Sequence, residues 1–206
     1  MPTLQESKLA FIGGGNMASA IIGGLLSKGV NKAHIRVSEP WDVNREKIAA
    51  TGVHTTTDNV AAGADADLII LAVKPQVTQG VCEELGKAWS ERATLPVILS
   101  IAAGITLSSL QAWSRTSDGR TPHVVRVMPN TPALVGEGAS GAFASADVSG
   151  AEKELVNALL SSVSRATEWV EREELLDVVT GLSGTFTSES RSRAKRGEYQ
   201  NANSVP

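Results

Sequence analysis

The stretch Lys8-Leu9-Ala10-Phe11-Ile12-Gly13-Gly14-Gly15-Asn16-Met17-Ala18 constrains the fold more than any other part of the chain. A short apolar run passes without a linker into three glycines and then into helix-compatible residues, so it predicts a strand turning directly into a helix. Gly13-x-Gly15-x-x-Ala18 has the spacing of a dinucleotide-binding turn. The first glycine makes the bend, the second admits a pyrophosphate against the backbone, and the small third residue lets helix pack on strand. The helix N-terminus offers free N–H groups and a positive dipole end, so no basic side chain is required for an anion there. Alone, the pattern also fits a plain tight turn, and its surroundings decide between the two.

Those surroundings alternate. Ile21, Ile22, Leu25 and Leu26 give the first helix an apolar face, with Gly29 as its stop. His34 to Ser38 reads as a second strand ended by Glu39-Pro40, and Asp42 is placed to cap a helix from Val43 towards Ala50. An acidic residue about 20 positions past the glycines normally accepts the ribose hydroxyls of NAD, and either Ser38 or Glu39 can hold that place. If Glu39 points at the ribose, NAD is favoured. If Ser38 does, with Arg45 reaching over, a 2′-phosphate and hence NADP is admitted. One residue of strand register separates the two outcomes.

Further along, Gly52 to Thr56 is a short β-branched run, and Asp58-Asn59 opens a capped helical turn. Asp67 to Val73 is almost unbroken apolar sequence, the mark of a central parallel strand, and it stops at Lys74-Pro75-Gln76. Val77, Val81, Leu85 and Trp89 recur every fourth residue and predict a helix with one apolar stripe. Leu95 to Ile101 is the next strand, ending in the small residues Ala102-Ala103-Gly104, and Thr106 is placed to cap the following helix. His123 to Met128 forms a sixth strand that runs into the stiff loop Pro129-Asn130-Thr131-Pro132. Ser140 to Ala144 is predicted as a strand, Ser149-x-x-Glu152 as a capping box, Ala166 to Val170 as a last short strand, and Glu173 to Thr180 as a final helix. Strands alternating with helices predict an α/β, Rossmann-like, doubly wound and mostly parallel sheet. Ligands then bind outside the carboxyl ends of its strands, which gathers the loops after Ile12, Val73, Ile101 and Met128.

Composition narrows the chemistry. With 206 residues, 42% hydrophobic, and a net charge of −3, the chain suits one well-formed core, and nucleic acid or an anionic membrane is not an expected partner. No stretch approaches the roughly 20 apolar residues of a membrane span, and a cytoplasmic location is expected. Cys82 is the single cysteine and has acidic neighbours, so a buried bystander thiol is expected rather than a nucleophile. His34, His54 and His123 have no metal-ligand spacing, and no metal is expected.

Four segments in this order resemble the pyrroline-5-carboxylate reductase family: Phe11 to Ala18, Ala72 to Gln76, Ser100 to Ile105, and Arg126 to Ala133. Members of that family reduce a cyclic imine, 1-pyrroline-5-carboxylate, with NAD(P)H to make L-proline, the last step of proline biosynthesis. A 3-hydroxy-acid dehydrogenase would share the glycine loop but not the Met-Pro-Asn-Thr-Pro segment. The resemblance, from about Lys8 to Gly184, implies cofactor contacts from Ile12, Gly13, Gly14, Gly15, Asn16, Met17, Ser38, Asn59, Ala72, Val73, Lys74 and Pro75. To these the ribose reading adds Glu39. Ala103 and Gly104 are implied near the nicotinamide, and Asn130, Thr131 and Ser183 near the substrate. The cofactor is NADP or NAD, with NADPH slightly favoured. A protonated imine is already electrophilic, so placement against the hydride donor in a water-poor site suffices, and no catalytic side chain is assigned.

The resemblance breaks after Gly184. Family members continue through a serine-glycine-proline loop into a helical domain that dimerises and completes the substrate pocket, whereas this chain reads Thr185-Phe186-Thr187-Ser188 and ends shortly after. The expected organisation is therefore a nucleotide-binding domain over residues 1–171, the start of a helix over 172–184, and a polar, disordered tail over 185–206. The family's homo-oligomer is expected to be compromised, with Leu175, Leu176, Val178 and Val179 left partly exposed. Two outcomes follow: a pyrroline-5-carboxylate reductase with doubtful turnover, or a non-catalytic NAD(P)-binding remnant acting through binding or interaction.

Overall fold

The computed structural model describes residues 2–176 of the chain. In order it contains β1 (Leu9–Ile12), α1 (Asn16–Ser27), β2 (Ile35–Ser38), α2 (Asp42–Ala49), β3 (His54–Thr56), α3 (Asn59–Gly63), β4 (Leu68–Leu71) and α4 (Pro75–Ala88). There follow β5 (Val97–Ser100), α5 (Leu107–Trp113), β6 (Val124–Pro129), β7 (Gly138–Ala144), α6 (Gly150–Leu160) and β8 (Ser164–Trp169). The strands form one eight-stranded sheet in the order β3-β2-β1-β4-β5-β6-β7-β8. Pairing is parallel from β3 across to β6, antiparallel between β6 and β7, and parallel again between β7 and β8.

Strands β1, β4 and β5 are buried at every position because helices cover both faces of the sheet. Alternation along each strand divides the core in two. Leu9, Phe11, Leu68, Ile70 and Leu99 meet Ile21, Ile22 and Leu25 of α1 and Leu155, Val156 and Leu159 of α6 on one face. Ala10, Ile12, Ile69, Leu71 and Ile98 meet Leu85 and Trp89 at α4 and Leu110 of α5 on the other. The expected doubly wound architecture is therefore the observed one, with β7 longer than expected and reversed against β6.

Side-chain caps mark the starts of α3, α5 and α6. The Asp58 carboxylate accepts from the Ala61 amide at 2.9 Å, Thr106 Oγ1 accepts from the Ser109 amide at 3.2 Å, and Ser149 and Glu152 complete a reciprocal capping box. Asp42 departs from expectation. Trp41 occupies the N-cap of α2 without a capping bond, and Asp42 is the first helical residue, where its carboxylate pairs with Arg45 and favours the helix dipole.

The stripe on α4 is also corrected. Thr78, Cys82, Leu85 and Gly86 are buried in it, and Trp89 follows at its end, whereas Val77 is 53% exposed. A row at every fourth residue drifts about 40° per step around a helix, so Val77 and Trp89 lie about 120° apart and cannot share a face. Leu176 differs from expectation as well: it is fully buried. The segment before it is tied down by Glu173, which accepts from the Leu107 amide at 2.6 Å and from Arg126 Nη1 at 2.6 Å. The rest of the expected helix to Thr180, with Val178 and Val179, and the tail over 185–206 lie outside the described residues.

Candidate functional site

Strand order reverses at β1, which has β2 on one side and β4 on the other, and this is the topological switch point of a doubly wound sheet. Register aligns the carboxyl ends of four parallel strands there, Ser38, Ile12, Leu71 and Ser100, with Arg126 of β6 beside Ser100. Hydrogen bonds carry the alignment into the loops. The amide of Gly13 donates to the Ser38 carbonyl at 2.8 Å, that of Ala72 to the Ile12 carbonyl at 2.8 Å, and that of Ile101 to the Leu71 carbonyl at 3.1 Å.

Each glycine of the first loop has a distinct reason. Gly13 has φ +101°, and a Cβ there would meet the Ala72 carbonyl oxygen at 2.5 Å. At Gly14 a Cβ would meet Ile48 Cδ1 at 2.6 Å and the Glu39 side chain just beyond. Gly15 has open space around its missing Cβ and serves as the N-cap of α1, with no capping bond and no acidic residue in the first turn. Among the described residues, the amides of Gly15, Asn16, Met17 and Ala18 have no protein acceptor. Open space at Gly15, unused donors and an uncompensated dipole end fit a pyrophosphate.

At the end of β2 the two candidate ribose readers both turn inward. Ser38 Oγ donates to Asn59 Oδ1 at 2.7 Å, and Asn59 Nδ2 donates to Glu84 Oε2 at 2.8 Å. Glu39 is 7% exposed, and its carboxylate accepts from the Gly14 amide at 2.7 Å and the Trp41 amide at 2.9 Å. The Arg45 guanidinium lies over the carbonyls of Glu39 and Pro40, at 3.1 and 3.2 Å, beside the Asp42 carboxylate.

The other candidates line the same rim. Ala72 and Val73 are half-buried beside Gly13, Lys74 is the exposed N-cap of α4, and Pro75 is its first residue. Ala103 and Gly104 are exposed after β5, where Ser100 Oγ accepts from the Ala102 amide at 3.3 Å. Asn130 is buried and pins the β6–β7 connection, its Oδ1 accepting from the Ala139 amide at 2.9 Å and its own amide donating to the Ala139 carbonyl at 3.2 Å. Thr131 next to it is exposed. Ser183 lies outside the described residues.

Sequence reasoning gave no separate role to Arg126 and Glu173. Arg126 is 5% exposed at the side chain and its charge is met by Glu173. The available signal was an arginine inside Val124-Val125-Arg126-Val127, since a cation in an apolar strand requires a buried partner. Burial, aided by Glu83, pushes the Cys82 thiol up to about 12, as expected of an inert cysteine. Among the described residues no three His, Cys, Asp or Glu side chains are grouped to hold a metal, and no helix is long and apolar enough to cross a membrane. A cavity of about 110 Å³ at Lys8, His34, Arg36 and Asp65 lies at the opposite edge of the sheet. Ligand pockets are typically about 300 Å³ or more, so it is too small for a dinucleotide.

Fold and glycine loop together define a Rossmann-type α/β protein. Residues 8–104 match the family described as coenzyme F420-dependent NADP oxidoreductase, a match covering the glycine loop through the turn after β5. The chain is 46% identical over 183 residues to pyrroline-5-carboxylate reductase of Pseudomonas aeruginosa, covering 88% of this chain and 64% of that protein. The solved structure of a pyrroline-5-carboxylate reductase from Coxiella burnetii superposes with a TM-score of 0.80 at 34% identity, over 95% of this chain and 72% of that one. That of Plasmodium falciparum pyrroline carboxylate reductase, with NADP bound, gives 0.73 at 25% identity, over 93% and 68%. The chain belongs to the pyrroline-5-carboxylate reductase family. It spans 64% of the length of the P. aeruginosa relative.

Proposed function

We propose that this chain binds NAD(P)H at the carboxyl rim of its sheet and acts as a pyrroline-5-carboxylate reductase, converting 1-pyrroline-5-carboxylate to L-proline. The observation that carries the reading is the N-terminus of α1, whose unpaired amides stand at the switch point with no carboxylate in its first turn. Residues 1–171 form the nucleotide-binding domain. Ile12 to Met17 hold the pyrophosphate, and Ser38, Glu39, Asn59 and Arg45 surround the adenosine ribose. The small residues Ala72, Val73, Ala103 and Gly104, with Lys74 and Pro75 beside them, let the nicotinamide end lie close to backbone. Asn130 and Thr131 face the substrate side, with Ser183 assigned there by the family resemblance alone.

The bound nucleotide supplies the hydride. This chain's residues place its acceptor carbon and keep water away, and no side chain acts as acid or base. We read the cofactor as NADPH in preference to NADH. Both Glu39 oxygens already accept backbone amides, which leaves Arg45 as the nearby cation for a 2′-phosphate. The expected location is cytoplasmic.

Purified protein given 1-pyrroline-5-carboxylate and either nucleotide should oxidise the nucleotide, faster with NADPH. Failure to bind either nucleotide would overturn the reading. Binding without turnover would favour a non-catalytic nucleotide-binding chain.

A further inference from the structure

Large apolar side chains are exposed at Trp41, Val43, Val77, Leu134 and Val135 among the described residues. All five follow the carboxyl ends of β2, β4 or β6. Trp41 stands out within this set. It is 64% exposed, whereas Trp89 is buried and Trp113 and Trp169 are half-buried.

Its position is held, although its ring is open. The Trp41 amide donates to one oxygen of Glu39 and the Gly14 amide to the other, so a single carboxylate spans the glycine loop and the tryptophan backbone. Arg45, one helical turn on, grips the Glu39 and Pro40 carbonyls and fixes the same corner from the far side. A dinucleotide with its pyrophosphate on α1 sends its adenosine half towards β2, the strand whose end carries this corner.

Resting on the nucleotide-binding reading above, we propose that Trp41 is the stacking platform for the adenine ring of the bound dinucleotide. The ring supplies a flat apolar face to a flat base, and the neighbouring Arg45 supplies a cation for the ribose phosphate. Glu39 is then a positioning residue: it acts on the nucleotide through the backbone it clamps at Gly14 and Trp41. Stacking on an aromatic side chain is sequence-tolerant and depends on ring area. Phenylalanine should therefore substitute in large part and alanine should not.

The test titrates the full chain with NADPH and with adenosine 2′,5′-bisphosphate, following tryptophan emission and heat. Both ligands should quench wild-type emission. Trp41→Ala should weaken both about tenfold and lose most of the quench, while Trp41→Phe should stay within about threefold of wild type. Trp41 is exposed, so unchanged far-ultraviolet dichroism is expected in both variants. If wild type binds NADPH and Trp41→Ala binds both ligands equally well, the Trp41 assignment is overturned and the nucleotide reading stands. If wild type binds neither ligand, the nucleotide reading itself fails. Loss of a concentration-dependent self-association in Trp41→Ala, with nucleotide affinity unchanged, would overturn the assignment in favour of a second copy of the chain.

Discussion

The two edges of the sheet are finished differently. At the edge where the parallel strands begin, charges and backbone groups are matched. Asp65 pairs with Lys8 and Arg36, Arg92 donates to the carbonyls of Gly63, Ala64 and Ala66, and His123 meets Glu152, which also closes the capping box of α6. At the edge where those strands end, the amides opening α1 have no acceptor among the described residues, Lys74 is exposed, and Trp41, Val77 and Val135 present apolar surface. The first edge satisfies its own polar groups, which is what a surface facing only water needs. The second leaves donors and apolar area unpaired, which is the condition for holding a ligand.

The largest effect is expected where the open edge holds the buried Arg126 charge against Glu173. Glu173→Gln leaves Arg126 buried with its charge unmet and should cost about 3 kcal/mol in chemical denaturation. A loss below about 1 kcal/mol would show that water reaches Arg126 and that this part of the edge is open too. Next comes Gly13→Ala, which places a Cβ 2.5 Å from a backbone oxygen at a positive φ. It should cost about 2 kcal/mol and abolish NADPH binding by calorimetry. Tight binding by that variant would separate the glycine loop from the nucleotide site.

Acid sharpens the other side of the comparison. Burial alone would raise the Glu152 carboxyl, but hydrogen bonds from Ser149 and His123 outweigh it and hold the group below its ordinary 4.5. The hydrogen bond from Lys8 similarly holds Asp65 below 3.8. Lowered carboxyl values mean stability that is present above the unfolded values and is lost as pH falls through the folded ones. The denaturation midpoint should therefore drop below about pH 4.5, and less steeply in Glu152→Gln. An equal drop in that variant would place the acid sensitivity elsewhere. Asp65→Asn should have the smallest effect on stability, under about 1 kcal/mol and weaker in salt, because its partners are largely exposed. Nucleotide affinity should not change with it, since the residue lies at the closed edge. Cys82 should resist thiol reagents at mildly alkaline pH until urea unfolds the chain, and rapid native labelling would contradict its burial.

Much of this contrast was legible in the chain itself. Unbroken apolar runs located β4 and β5, and Asp58, Thr106 and the Ser149–Glu152 pair located helix starts, because each signal acts within a few residues. The glycine spacing was legible for the same reason. Less legible were features that depend on angle or distant partners. A strict fourfold spacing misassigned the buried side of α4, since the period of a helix is 3.6 rather than 4. The depth of Leu176 depended on Glu173 reaching the start of α5 and the middle of β6.

What the sequence by itself determined, then, is the alternation of strands and helices, the turn at Gly13 to Gly15, and the convergence of four loops on one rim. Those follow from local periodicity, backbone permissiveness and the single hand of parallel crossovers. Only the tertiary structure decided the direction of Glu39 and the pairing of Ser38 with Asn59 and of Arg126 with Glu173. Each depends on a neighbour at least 21 residues away, brought into hydrogen-bonding distance by loops and helices packed on the sheet. Composition and spacing carry no information about which of two adjacent side chains a twisted sheet turns towards a loop.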